Sequence, residues 1–397
     1  MQMQSVRYEN NTWGSHPERM LATRRIAMPY LLKFHFDPDY ERRRLRPKNR
    51  DDGSVDQYDL GYAQNVVAGQ VLAEWEELPP EAPQEHDGRL SDDIAFAHGE
   101  GCRVDPSSPL RLLASVNGHV SCVDGAITVR ETLSVGRDVD FHTGNIVAIG
   151  DVLIGGNVRS GFLVMGRNAT IRGAVEAARV QAMGNITCQA GIQGGSRATL
   201  RAGKSLRAKF AENAVLHAGQ NILIDGSSMH CRLFAGEKLA VKGRLVGGEA
   251  YCGEAVYVGE QLGGGDQSQT RILLGYDAER IHKDQHLKAL VRETLVEIEA
   301  CQAEAGKGSE RAEACDLELD QLHKRLAAYK AQLLRLWASP AAMRRFSTCR
   351  VIVPGHVGAN VEIGIGEAVL AVPEGTRDAV FRYHDGEIVT EHPALHK

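Results

Sequence analysis

Aromatic residues make up only 6% of this 397-residue chain, and no Trp falls between residues 130 and 265. That scarcity excludes a core of bulky rings in the middle of the chain, whose interior must be filled by small aliphatic side chains. No apolar run approaches the ~18 residues that a membrane-spanning helix needs. The opening MQMQSVRYENNTWG has no apolar stretch of the secretory type, so no export signal is expected. The eight cysteines (102, 122, 188, 231, 252, 301, 315 and 349) form no CxxC pair. That excludes a zinc ribbon and argues against a disulfide framework, so a cytoplasmic chain with reduced thiols is expected.

Charge is unevenly placed. Residues 1–50 hold 11 Lys/Arg against 5 Asp/Glu, and residues 51–100 hold 1 against 13. The run Arg42 to Arg50, with Arg42, Arg43 and Arg44 at its head, is a candidate partner surface for nucleic acid or an anionic membrane face, set against the favoured reading of a solvated loop neutralised by the acids after it. Nucleic acid is the less favoured partner, because no aromatic interleaves the run and the chain as a whole carries −5.

Glycine is what the sequence has in plenty. Of 42 glycines, 23 lie between Gly144 and Gly265. Seven recur in one pattern, a small or apolar residue, then Gly, polar residues and an apolar–x–apolar triplet: Gly150, Gly166, Gly184, Gly203, Gly219, Gly236 and Gly253. The steps are 16, 18, 19, 16, 17 and 17 residues. That period is too short for repeats built from helix pairs, which need about 33 residues or more. It fits one turn of a parallel β-solenoid, with Gly taking positive φ at the corner. The triplets predict inward pairs Val152/Ile154, Ala169/Ile171, Ile186/Cys188, Leu206/Ala208, Ile222/Ile224, Leu239/Val241 and Val256/Val258. Seven or eight turns stacked at about 4.8 Å make a rod of roughly 35 Å whose ends need caps. Cys188, Cys231 and Cys252 read as buried small hydrophobes.

After residue 275 the period changes. Cys315, Leu319, Leu322, Leu326, Tyr329, Leu333 and Leu336 form a heptad seam, preceded by a less regular set, Leu287, Leu290, Val291, Leu295 and Ile298. Gly306-Lys307-Gly308 separates them, so the segment predicts an antiparallel coiled-coil hairpin. Lys324, Arg325 and Lys330 on its second helix are a candidate partner surface, and self-association through the hairpin is a further role for it. The tail from Ser347 alternates again and returns to the solenoid. The divisions are a divergent region over 1–95, a solenoid over 96–275, a hairpin over 276–338 and a β segment over 339–397.

Catalytic motifs find little support. AGKS at 202–205 lacks the P-loop's earlier glycine, since position 198 is Ala. GIGEAV at 364–369 lacks the third glycine of GxGxxG, and His282 with His286 lacks the Glu of HExxH. Asp138, Asp140, His142, Asn145 and Asp151 cluster in sequence, as acid–base pairs do on carbohydrate-cleaving solenoids, and His217 holds the position of a solenoid acyltransferase base. The competing reading gives these residues, with Glu176, Glu212 and Asn213, to turns and ladders. No catalytic residue, metal or cofactor is therefore assigned.

RDVDFHTGNI (137–146), GAVEAARVQAMGNI (173–186), AKFAENAVLHAG (208–219), KGRLVGGEA (242–250), TRILLG (270–275) and AVFRYHDGEIV (379–389), with the hairpin, together resemble the flagellar assembly protein A family. The resemblance implies a solenoid with an inserted helical hairpin and a β tail, in a cytoplasmic bacterial protein that assembles or places flagella through protein partners, without catalysis. The alternative is a carbohydrate-binding or carbohydrate-active solenoid, which an aromatic platform beside two carboxylates would favour.

Overall fold

The computed structural model describes residues 30–40, 45, 47–49, 55–77, 89–91, 93–264, 268–305, 312–338 and 346–393. Its body is a parallel β-solenoid of about eight turns, each contributing three short strands. The first face stacks Thr132–Val135, Asp151–Ile154, Ala169–Ile171, Ile186–Cys188, Leu206–Ala208, Asn221–Ile224, Lys238–Val241, Ala255–Val258 and finally Arg350–Val357. The second passes through Val139, Val158, Val175, Ile192, Ala211, Ser228, Leu245, Leu262 and Val357. The third passes through Ile146, Val164, Val180, Leu200, Leu216, Leu233, Ala250, Ile272 and Ile363.

All seven inward pairs read from the sequence are buried on the first face, none more than 2% exposed. Alternation explains this: in a strand every second side chain faces the interior, and the lumen is filled mainly by aliphatic side chains stacked turn on turn. Cys188, Cys231 and Cys252 are buried and free, as expected of small hydrophobes. Burial pushes the Cys188 thiol up to about 12 and the Cys252 thiol up to about 11.

The recurrent glycines serve a different purpose from the one expected. None of the seven has positive φ. At Gly150, Gly203, Gly219 and Gly236 the missing Cβ lets backbone stack on backbone at the corner: a Cβ on Gly219 would lie 2.2 Å from the Gly203 carbonyl oxygen, and one on Gly236 1.9 Å from that of Gly219. Gly236→Ala must therefore push two turns apart, at a cost of about 1–3 kcal/mol. A lower urea midpoint with unchanged slope is expected. Gly136→Ala is the control, because a Cβ there meets nothing within 4 Å and φ is not positive.

Both solenoid ends are closed. Residues 96–130, grouped with the solenoid on sequence, form strands that pair antiparallel, with one isolated parallel bridge between His98 and Ile127, and the stack of parallel turns begins at Thr132. One sheet runs in the order Arg89–Ser91, Tyr30–Phe34, Val71–Glu77, Ser108–Ala114, Cys102–Asp105. Its core, which includes Leu32, Leu72, Trp75 and Leu112, also takes in Val120, Ile127 and Val129 from the hairpin Gly118–Val123/Ala126–Arg130. The turn of that hairpin is Asp124-Gly125 with both residues at positive φ, the mirror-image turn that Asp-Gly favours. Residues 58–65 seal the first turn: Asn145 N donates to the Tyr58 carbonyl at 2.6 Å, and Asn65 bonds Val147 and Ile149. At the far end Arg350–Val357 and Val361–Ile365 complete the last turn. Arg377–His384 and Ala368–Val372 then add to them antiparallel and cover the open edge.

Between the last turns two helices are inserted, α1 (Ala278–Ala305) and α2 (Ala312–Ala338), packed on each other. On α2, Leu322 and Leu326 are buried and Leu319, Tyr329, Leu333 and Leu336 half-buried. On α1 the contact runs through Ile298 and Cys301 with Val291 beside them. Leu295, placed in the seam on sequence, is 40% exposed, and Thr294 is buried in its stead at 1%. Thr294 enters because its hydroxyl donates to the Leu290 carbonyl at 2.8 Å and so carries no unpaired polar group inward.

Candidate functional site: the seat of α1 on the third face

The third face carries one column of outward side chains in register: Val147, Met165, Gln181, Arg201, His217, Phe234, Tyr251 and Leu273. Its second half is covered. Ala278 and Ile281 of α1 pack with Phe234, Tyr251, Val215 and Leu273. Phe234 and Tyr251 stack at 5.0 Å with their planes 5° apart, and His282 meets Phe234 edge-on at 5.0 Å. Polar groups complete the seat. Glu279 lies between Arg201 Nη2 at 2.5 Å and His217 Nε2 at 2.6 Å, the latter an ion-pair contact without hydrogen-bond alignment. Gln285 donates to the Tyr251 hydroxyl at 2.7 Å and accepts from Arg232. Tyr251 in turn donates to Glu249 at 3.0 Å.

The electrostatics follow from this packing. His217 beside Glu279, helped by Arg201 and opposed by burial, holds the Glu279 carboxyl well below the usual carboxylate range. Burial, with His217 and Arg201 nearby, lowers His282 to about 4. The uncovered half of the column opens into an apolar groove of about 470 Å³ lined by Val147, Met165, Gln181, Met183 and Arg201.

The residues singled out on sequence fall elsewhere or into structural work. Asp138 accepts from Asn157 N at 2.8 Å and from Arg159, which also reaches Glu176. Asn157 then accepts from Ala174 N at 2.8 Å, one turn further on. A second column repeats the device: Asn168 donates to Asp151 and accepts from Asn185 N, and Asn185 accepts from Ser205 N. Asp140 accepts from His142 N, and Asn145 accepts from Leu163 N. The Asn157 amide and Arg159 hold Asp138 below its ordinary range, and Arg167 does the same for Asp151. Asn213 turns the corner at positive φ beside Glu212. His217 lies under α1 with its side chain 5% exposed. His282 faces the same seat while His286 is exposed, so the two do not act as a pair.

Lys324, Arg325 and Lys330 are exposed on α2. Lys324 pairs with Asp320 at 2.6 Å, and Arg325 pairs with Glu297 of α1. Arg42, Arg43 and Arg44 lie outside the described residues. Sequence reasoning missed Arg201, Phe234, Tyr251, Glu279 and Gln285. A signal was present: in an aromatic-poor repeat, Arg201, His217, Phe234 and Tyr251 occupy one phase of successive turns.

The architecture defines a class: a three-faced parallel β-solenoid with a helix pair inserted before its last turn and seated on one face. The family described as Flagellar Assembly Protein A beta solenoid domain matches residues 131–388, and the chain belongs to that family. No curated protein and no solved structure gives a match.

Proposed function

We propose that the chain is a non-enzymatic scaffold or localisation factor of the bacterial cytoplasm, acting through protein partners in assembling or placing flagella. The observation that carries this reading is the employment of the solenoid's acid–base candidates. Asp138 and Asp151 are committed to cross-turn bonds with Asn157, Arg159, Arg167 and Asn168, and His217 is covered by α1. A general acid or base needs a proton path to a substrate, and these groups face neighbouring turns instead. Family membership supports the flagellar setting.

In this reading α1 and α2 form an antiparallel coiled-coil hairpin. Leu287, Val291, Thr294, Ile298 and Cys301 keep heptad spacing opposite Leu319, Leu322 and Leu326. The seat on the third face holds the hairpin as a rigid arm, and the exposed face of α2 meets the partner.

The test is complementation of a deletion strain of the host. Asp138→Asn and Asp140→Asn are expected to leave flagellation near wild type, whereas an acid–base enzyme would lose about 10²–10⁴-fold in rate. Lys324→Glu with Lys330→Glu spares the Arg325–Glu297 pair, so the helices stay packed. That double reversal is expected to cut the flagellated fraction sharply by setting like charges against the partner. The reverse ranking, with every variant folded by circular dichroism, would sink the scaffold reading.

A further inference from the structure

A cavity of about 440 Å³ opens where the chain re-enters the solenoid from the helix pair, lined by Lys238, Glu254, Ala255, Ser347, Arg350 and Arg382 among others. Its floor is a single column on the first face. Lys238 is in register with Ala255, Ala255 with Arg350, and Arg350 with Arg382 across the antiparallel cap. Neighbouring strands lie about 4.8 Å apart, so Ala255 is a notch between two cations roughly 10 Å from each other.

This column sets three cations side by side at one cavity, unlike the solenoid cations that are paired across turns. Arg159, Arg167, Arg207, Lys242 and Arg271 each meet a carboxylate from a neighbouring turn. Lys238 and Arg350 have no ion-pair partner among the described residues. Arg382 is shared with Glu391, its Nε 3.3 Å from Oε2. Like charges directly opposite each other on paired strands destabilise a sheet, and Arg350 and Arg382 are such a pair. An anion in the notch would turn that repulsion into attraction.

We propose that this cavity is a binding site for a small phosphoryl-bearing molecule. The two guanidinium groups can each present a planar fork to phosphoryl oxygens. Lys238 supplies a third positive charge across the Ala255 notch, and Ser347 also lines the cavity. The cavity has volume for an organic body beyond the phosphoryl group. The site is independent of the flagellar reading and would make the scaffold responsive to a metabolite.

Calorimetric titration of the full chain with pyrophosphate, at fixed ionic strength and with sulfate and acetate as comparison anions, tests it. Saturable one-site binding of pyrophosphate, at least tenfold tighter than sulfate, is expected. Ala255→Leu fills the notch without changing charge, and Lys238→Gln removes one cation. Each is expected to weaken pyrophosphate binding at least tenfold, with the β circular-dichroism signal and melting retained. Equal binding of all three anions, or unchanged affinity in a folded Ala255→Leu or Lys238→Gln variant, would overturn the site. Capture on phosphatidic acid vesicles without binding of free pyrophosphate would overturn the small-molecule assignment in favour of a lipid headgroup.

Discussion

Ile224→Asp is expected to abolish cooperative folding of the solenoid at neutral pH. Ile224 is fully buried on the first face, stacked between Ala208 and Val241 of the adjoining turns. An aspartate there must be neutral to be tolerated, and protonating a carboxyl of ordinary pKa about 3.9 at pH 7 costs about 4 kcal/mol. Losing the buried isoleucine adds about 2 kcal/mol. The sum is comparable to the whole stability of a domain, about 5–15 kcal/mol. Soluble yield and the far-ultraviolet melt should therefore both collapse, and the defect should ease as pH falls toward 4. Leu223→Asp is the comparison, because Leu223 is the outward neighbour on the same strand, beside Arg207. Its carboxylate stays in water, and the melt should shift by less than half as much. Wild-type melting of Ile224→Asp would refute the inward assignment.

What the sequence disclosed and what it hid divide along physical lines. The inward pairs were legible because burial on one face of a strand forces period-two alternation, and the turn length forces its recurrence about every 17 residues. The glycines were legible as a period but not as a conformation. Gly can answer either a positive φ or a missing Cβ, and only the 1.9–2.2 Å approaches to carbonyl oxygens at Gly219 and Gly236 decide between them. The antiparallel start was hidden by alternation common to both kinds of sheet, although the Asp124-Gly125 turn announced a hairpin. Thr294 and Cys301 escaped a search for aliphatic heptads, because a threonine can satisfy its hydroxyl on its own helix. The seat of α1 was hardest to read. It joins Arg201 and His217 to Glu279, and Tyr251 to Gln285, across stretches with no shared period.

That seat should come undone in acid. Glu279 and His282 both carry depressed pKa values, and they act in the same direction. For His282, near 4 in the seat against about 6.5 when free, stability is fully present above pH 6.5. It drains as pH falls toward 4, because the released histidine binds a proton that the seated one refuses. For Glu279, stability is present above its ordinary range near 4.5 and is lost as pH falls through its lower folded value. The groups facing His282 are His217, Arg201, Glu279 and His286, and among these only the carboxylate favours its protonation. Undocking should thus begin between pH 6.5 and 4, while the solenoid strands hold. Hydrogen exchange, corrected for the intrinsic pH dependence, should show the amides of residues 278–290 losing protection across that window before those of Ile222–Ile224. His282→Phe should remove the slope between pH 6.5 and 4 and leave the lower one. Glu279→Lys should undock α1 at every pH, since it sets a cation against Arg201 and His217. Its cost is about 3 kcal/mol, at the low end for a broken buried pair because the Glu279 side chain keeps 30% exposure. Protection of residues 278–290 in Glu279→Lys equal to wild type would show that Phe234, Tyr251 and Leu273 hold the helix without the ion pairs.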